Sequence, residues 1–438
     1  MKKHWLFIFT LIISFGISCS DKKGQAEPKE ETKKPVEEVK YDETGCNYTS
    51  YKGLAMAGYQ GWFTTEGDGA NSRWTHYNQN GKFEPGSTNV DFWPDVSEYE
   101  KTYETAFSLP NGKKAHVFSP QDESTVDLHF KWMKEYGLDG VFMQRFLLTV
   151  RDQRAQITKV FENALKAANK HEKAICVMYD LSGSKSSELD IIVNDFEKLV
   201  KDYDLFNNKT NPNYLRHNGK PLVVIWGVGF NDGRKYTTQD VADLVKRLKG
   251  DSNKVSVMLG VPYYWRTLDK DTEDDKQLHE LIKTVDIIMP WAVGRYNLDN
   301  YNSVVPATLQ GDIEWCRNNK VDYVPLAFPG FSWGNMRKDA SLYNQIPRHE
   351  GKFLWRQVSG ARTAGAESLY LAMFDEIDEG TALFKCLRQN GVPNNAKGFG
   401  FVGIEDNLPT DHYLWLSGEA AKWFNGGSGY SENMPVRK

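Results

Sequence analysis

A (β/α)8 barrel, the TIM barrel, is the fold this sequence predicts, as a single α/β domain with a long insertion after its first strand. Two observations carry the prediction. Eight short apolar, β-branched or aromatic runs alternate with longer stretches of helical spacing between about residues 46 and 425. The residues that follow those runs are polar, acidic or aromatic, as at the C-terminal strand ends of a barrel where catalytic groups gather. A doubly wound open sheet is the competing architecture. It loses ground because no G-x-G-x-x-G follows the first strand and no Walker loop is present.

Before the barrel come two segments of another kind. Met1-Lys2-Lys3-His4 is a basic start, Trp5 to Ile17 is apolar, and Ser18 precedes Cys19. This is a secretory signal over residues 1–18, too short for a membrane span, with a lipoprotein-type cleavage box and Cys19 as the lipidated residue. Residues 19–45 hold almost no large apolar side chain, two prolines and dense mixed charge, which predicts a disordered tether. The expectation is an exported protein, lipid-anchored to a bacterial outer membrane on its periplasmic or outer face. Membrane contact would be through that anchor alone.

The strands are expected near Leu54–Tyr59, Gly140–Phe146, Ala174–Tyr179, Leu222–Trp226, Val255–Val261, Asp286–Trp291, Tyr323–Phe328 and Leu369–Phe374. Ala115–Ser119 reads as a further strand inside the insertion. The helices are expected at Val126–Tyr136, Gln153–His171, Ser187–Lys201, Thr238–Lys249, Leu309–Asn318 and Tyr413–Phe424. In the second of these Ile157, Val160, Phe161, Ala164 and Leu165 share one face; the fourth takes Thr237 or Thr238 as its N-cap. Residues 426–438 read as a tail.

Composition narrows the function. The net charge of −4 over 438 residues, with no basic block, gives no reason to expect nucleic acid. The cysteines have no zinc spacing, and Cys176 sits in an apolar run as a small core residue. The acidic run Asp269–Asp275 lacks the glycine of a calcium loop and reads as a solvated surface loop. A monomer with no metal and no cofactor is expected. Tyr59, Gln60 and Trp62, Gln144 and Arg145, Tyr179 and Asp180, Trp226, Tyr263, Trp291, Arg295 and Trp333 follow successive strands. Together they describe an aromatic-walled cup suited to an uncharged polyhydroxylated ligand.

The eighth strand runs into Asp375, Glu376, Asp378 and Glu379. Four carboxylates at one strand end repel one another and are costly to desolvate, so packing alone would not select them. Such crowding serves a reaction that needs one carboxyl protonated and another ionised at neutral pH. Glycoside cleavage is the reaction that asks for two carboxyls flanking one bond, and Glu376 and Glu379 have the reach for it. Asp375 and Asp378 are placed to orient or tune them.

Phe374-Asp375-Glu376-Ile377-Asp378-Glu379-Gly380-Thr381 resembles the W-N-E-W-x-E-G-T signature of glycoside hydrolase family 99, the endo-α-mannosidases and endo-α-mannanases, and of relatives in family 71. GLDGVFMQRF resembles that family's G-[IL]-D-G strand. The segments GYQGWF, DFWPDVSEY, MYDLSG, PWAVGRY, FPGFSW and AMFDEIDEGTA are similar to those of a bacterial set of family 71/99-like proteins, often labelled xylosidase/arabinosidase. This likeness runs from about residue 53 to 424. It implies a (β/α)8 glycoside hydrolase that retains anomeric configuration, with Glu376 as base to the sugar 2-hydroxyl and Glu379 as general acid and then base, through a 1,2-anhydro sugar. Asp375 stands where the family has Asn, and Ile377 where it has Trp. The competing expectation is a surface glycan-binding lipoprotein that uses the same scaffold without catalysis.

Overall fold

A computed structural model describes residues 39–437; the signal segment, Cys19 and the tether up to residue 38 lie outside the described residues. In chain order the strands are β1 (Ala55–Tyr59), β2 (Tyr103–Ser108), β3 (Lys114–Val117), β4 (Gly140–Phe146), β5 (Ala174–Asp180), β6 (Arg216–His217), β7 (Lys220–Trp226), β8 (Ser256–Pro262), β9 (Ile287–Trp291), β10 (Asp322–Tyr323), β11 (Leu326–Ala327) and β12 (Leu369–Leu371). The helices longer than one turn are α1 (Glu123–Tyr136), α2 (Leu147–His171), α3 (Asp190–Tyr203), α4 (Thr238–Lys249), α5 (Gln277–Ile282), α6 (Tyr301–Asn319), α7 (Gly334–Arg337), α8 (Lys352–Thr363) and α9 (His412–Phe424).

The main sheet runs β10-β9-β8-β7-β5-β4-β1-β12-β11 with parallel pairing along this path. Its two outer members, β10 and β11, belong to one stretch of chain. Asp322 and Tyr323 pair with β9, and Leu326 and Ala327 pair with β12. That single seventh strand therefore closes the barrel, interrupted at Pro325, which has no N–H to give a ladder. The insertion after β1 holds the antiparallel pair β2 and β3, so the run expected at Ala115–Ser119 is the second strand of a hairpin outside the barrel.

Period-two alternation gives the barrel two separate cores. Met56, Phe142, Cys176, Met178, Val224, Met258, Met289 and Tyr370 face the barrel axis in one cluster. Their neighbours Ala57, Val141, Val177, Val223, Leu259 and Leu371 join the cluster shared with the surrounding helices. At Gly260 a Cβ would meet the Trp226 ring at 2.2 Å, so the absent side chain is the seat of that indole.

Local chemistry explains where the elements differ from expectation. α4 begins where expected: Thr237 is its N-cap, its hydroxyl accepting from Asp240 N at 3.2 Å while Asp240 accepts from Thr237 N at 2.8 Å. α2 starts six residues before Gln153 and kinks there (φ −139°, ψ 40°). α6 extends two turns before Leu309, and Pro306 lies inside it, in the second turn. α8, with Gly and Ser in its sequence, has no strong helical signature. The eighth strand is shorter than expected, ending at Leu371, although Ala372 N still donates to Ala327 O and Phe374 N to Gly58 O.

Both ends of the domain pack more than their composition predicts. Tyr41, in the stretch read as tether, donates to Lys254 O at 2.9 Å and lies edge-on to Phe206. In the stretch read as a tail, Tyr430 stacks on Trp423, and Ser431 O accepts from the Trp355 indole at 3.0 Å. No helix among the described residues is long and apolar enough to cross a membrane.

Candidate active site

At the C-terminal end of the barrel strands lies a cavity of about 540 Å³. Gln60, Trp62, Gln144, Asp180, Trp226, Trp291, Arg295, Trp333, Glu376 and Glu379 line it, so ten of the expected site residues share one space. Trp226 and Trp291 meet edge-on at 5.2 Å, and Trp62 is backed by His76 stacked at 3.7 Å. The indole N–H groups of Trp62, Trp226 and Trp333 and the side-chain carbonyls of Gln60 and Gln144 find no hydrogen-bond partner among the described residues. These are donors and acceptors on an aromatic wall, the combination that binds hydroxyl-rich rings.

Strand alternation removes three of the expected residues from the cavity, and the turn after β8 removes a fourth. Gln144 points to the axis, so its neighbour Arg145 points out, where its guanidinium grips Asp195 of α3 at 2.8 and 2.9 Å. Asp180 points in and Tyr179 out; the Tyr179 hydroxyl donates to the same Asp195 at 2.6 Å. Gln60 points in and Tyr59 out, its hydroxyl 2.8 Å from His129 Nδ1 on α1. Burial pushes His129 down to about 3, so the imidazole is neutral and the contact is structural. Tyr263 packs against Tyr264 and Tyr296 away from the cavity, held by the turn after β8.

Asp375 lies behind the site. It is fully buried and accepts from Gln60 N at 2.8 Å and Gly61 N at 2.9 Å, tying the acidic loop to the end of β1. Burial nonetheless outweighs those donors and pushes its carboxyl up to about 7.

The acidic loop folds back on itself. Met373 N donates to Thr381 O, Ala382 N to Glu376 O, and Phe384 N to Phe374 O. Arg348 supports it from beneath, donating to Gly380 O at 2.9 Å and Ala382 O at 2.8 Å. Gly380 has φ +66°, and a Cβ there would lie 2.8 Å from Ser332 Cβ, so glycine is required at this crossing. Glu376 is buried; Gln60 Nε2 donates to Oε1 at 2.7 Å and Thr381 Oγ1 to Oε2 at 2.5 Å. Burial, then the charges of Glu379 and Asp378, raise its carboxyl well above the usual range. Glu379 stands at the cavity wall, raised to about 7 by burial and by Asp378, with Arg337 pulling it down. Both glutamate carboxyls are thus raised toward or above neutrality. Asp180, across the cavity, is pushed up to about 6 by burial, and its Oδ1 accepts from Ser182 N at 2.6 Å.

Sequence reading missed other wall residues. Phe146 is the last residue of β4, and Phe230, Asp232 and Arg234 lie on the loop after β7. Their signal was position, at a strand end or a few residues beyond one. Arg234 lies over the rings of Trp226 (5.5 Å) and Phe230 (5.1 Å) and grips Asp232 with two nitrogens. Gln345 had no signal. The run read as a solvated loop contains Asp271, which accepts from Tyr263 N, Tyr264 N and Arg295 Nε and so orients one wall of the cavity.

Comparison with solved structures gives the fold a relative. The chain is similar to a GH99 endo-alpha-mannosidase from Bacteroides thetaiotaomicron, with TM-score 0.59 and 14% identity over 86% of this chain and 99% of that one. A structure of the Bacteroides GH99 enzyme in complex with bis-tris-propane gives TM-score 0.57 and 15% identity, covering 85% and 98%. The barrel implied by the family 99 resemblance is thus the barrel observed. Scans against protein-family models and against curated proteins return no match.

Proposed function

We propose that the protein is a retaining glycoside hydrolase of the family 71/99-like type, acting on an oligosaccharide or polysaccharide. The observation that carries the reading is the pair Glu376 and Glu379, on one loop at one cavity, both with carboxyls raised toward or beyond neutrality. Proton exchange with a glycosidic oxygen at neutral pH requires groups tuned in this direction. The aromatic wall with its unpartnered N–H and C=O groups supports a sugar as ligand. The likeness to the GH99 endo-alpha-mannosidase supports the same reading.

The hydrogen bonds support the division of labour that the family 99 resemblance implies. Burial and its carboxylate neighbours raise Glu376, and the donor on each of its oxygens acts against that rise, which supports the ionised form as the base. Glu379 faces the cavity and carries the proton. Ionised Glu376 takes the proton of the sugar 2-hydroxyl. The freed oxygen bonds to the anomeric carbon as the bond to the leaving oxygen breaks, and Glu379 protonates that oxygen. The product on the enzyme is a 1,2-anhydro sugar. Glu379, now a carboxylate, then takes a proton from water; the water oxygen opens the three-membered ring at the anomeric carbon, and Glu376 returns its proton to the 2-oxygen. Two inversions leave the configuration retained.

The N-terminal sequence supports export and anchoring through Cys19, with the tether carrying the catalytic domain away from a membrane surface. The test of the activity is a panel of plant, algal and fungal glycans incubated with the purified domain, products being followed by chromatography and anomeric NMR. A retained anomer is expected, and no cleavage of a substrate whose 2-hydroxyl is replaced by hydrogen. Cleavage of that 2-deoxy analogue would overturn the 2-hydroxyl route.

A further inference from the structure

Asp91, in the insertion after β1, is fully buried and lies outside the cavity lining. Its carboxylate is spent on a single loop. Ser332 Oγ donates to Oδ2, as does Gly334 N at 2.7 Å, and Asn335 N donates to Oδ1 at 2.8 Å. That loop follows β11 and carries Trp333, a wall of the cavity. The backbone at the same position grips a second loop. Asp91 N and Phe92 N both donate to Ile377 O at 3.0 Å, and Ile377 lies between Glu376 and Asp378. A third link closes the ring, because Ser332 N donates to Glu379 O at 2.9 Å.

Other buried carboxylates are explained without this pattern. Asp195 and Asp312 face arginines, and Asp375 ties two adjacent strand ends. Asp91 instead joins three segments distant in sequence, two of which bear groups of the site. Its donors are two amides and a hydroxyl, which fit a carboxylate with two free oxygens. An amide side chain would present an NH2 to at least one of those N–H groups and push the loops apart.

We infer that Asp91 is a positioning residue for the glycosidase reading above: through Ser332 it sets the place of Glu379, and through the Gly334 and Asn335 amides that of Trp333. The inference rests on that reading for its kinetic test, and on the loop geometry alone for a second test.

Asp91→Asn and Ser332→Ala, alone and together, are measured on the glycan that the wild type cleaves. Asp91→Asn is expected to lower kcat on the order of tenfold to hundredfold while KM changes by less than about threefold, because misplacing an acid costs turnover more than binding. Ser332→Ala is expected to lose less, in the same direction, and the double variant to lose no more than Asp91→Asn, since both cut one chain of contacts. A folded Asp91→Asn with kcat within about twofold of wild type, or a loss confined to KM, overturns the inference. Should Asp91→Asn lack a cooperative melt, Ser332→Ala decides: a fall in kcat supports the inference and an unchanged kcat overturns it. Should the wild type cleave nothing, the reading of function fails separately. The inference is then tested with 5-fluorotryptophan protein, the Trp333 resonance being assigned by its loss in Trp333→Phe. A shifted 19F resonance in Asp91→Asn supports it, and an unmoved one overturns it.

Discussion

Two buried charged regions sit within the same barrel and are built in opposite ways. Between β4, β5 and α3, Asp195 is surrounded by partners: Arg145 at 2.8 Å, Arg154 at 2.9 Å and the Tyr179 hydroxyl at 2.6 Å. On the loop after β12, Glu376 has two neutral donors where Asp195 has two guanidiniums, and its nearest charges are other carboxylates. The first arrangement neutralises charge and fixes structure. The second leaves a carboxyl pair raised in pKa and facing a cavity, a destabilising arrangement of the kind that clusters at functional sites. Paired buried charge thus marks a joint in this molecule, and crowded like charge marks its candidate site.

Breaking the two regions should give opposite signatures. The largest effect is expected at the glutamates: Glu376→Gln and Glu379→Gln should each lower turnover by about 10³-fold or more, measured as initial rates, with folding intact. Arg145→Ala should do the reverse. Stripping a partner from a buried pair costs on the order of 3–5 kcal/mol, read as a lower denaturation midpoint, while kcat of the folded fraction is retained. Between the neighbouring ends of β5 and β7 the contrast sharpens further. Trp226→Ala, inside the cavity, should weaken glycan binding by roughly tenfold in calorimetry. Tyr179→Phe, outward at its strand end, should leave binding unchanged and cost about 1 kcal/mol of stability.

The smallest effect separates the regions by pH. A carboxyl whose folded pKa lies above its unfolded value binds more protons when folded. Its favourable contribution is fully present below the unfolded pKa and is lost as pH rises through the folded one. For Glu379 that window runs from the ordinary carboxylate range to about 7, and Glu376 shifts in the same direction. The melting temperature of Glu376→Gln, relative to wild type, should therefore rise between pH 5 and pH 8. The rate of the wild type should fall as pH climbs above about 7, where Glu379 loses its proton.

Much of this was legible in the residues. The acidic crowd at 375–379 contradicts any packing rationale, and the aromatic residues after each run of apolar residues mark one face of the barrel. What failed was the resolution of neighbours. Gln144-Arg145 and Tyr179-Asp180 both carry site-like side chains, and only strand register, fixed by the pairing of Gln144 with Met178 and of Asp180 with Trp226, decides which member faces the axis. Asp91 and Asp271 were illegible for another reason. Their roles come from contacts with loops distant in sequence, and nothing local in DFWPDV or in the run 269–275 announces them. The seventh strand was blurred by Pro325, which divides its ladder between two neighbours.

The most direct test of the central claim compares wild type and Glu379→Gln on one glycan, following product by anomeric NMR and binding by calorimetry. A retained-anomer product is expected from the wild type, and from Glu379→Gln no product with binding preserved. Equal turnover by the two proteins would contradict it.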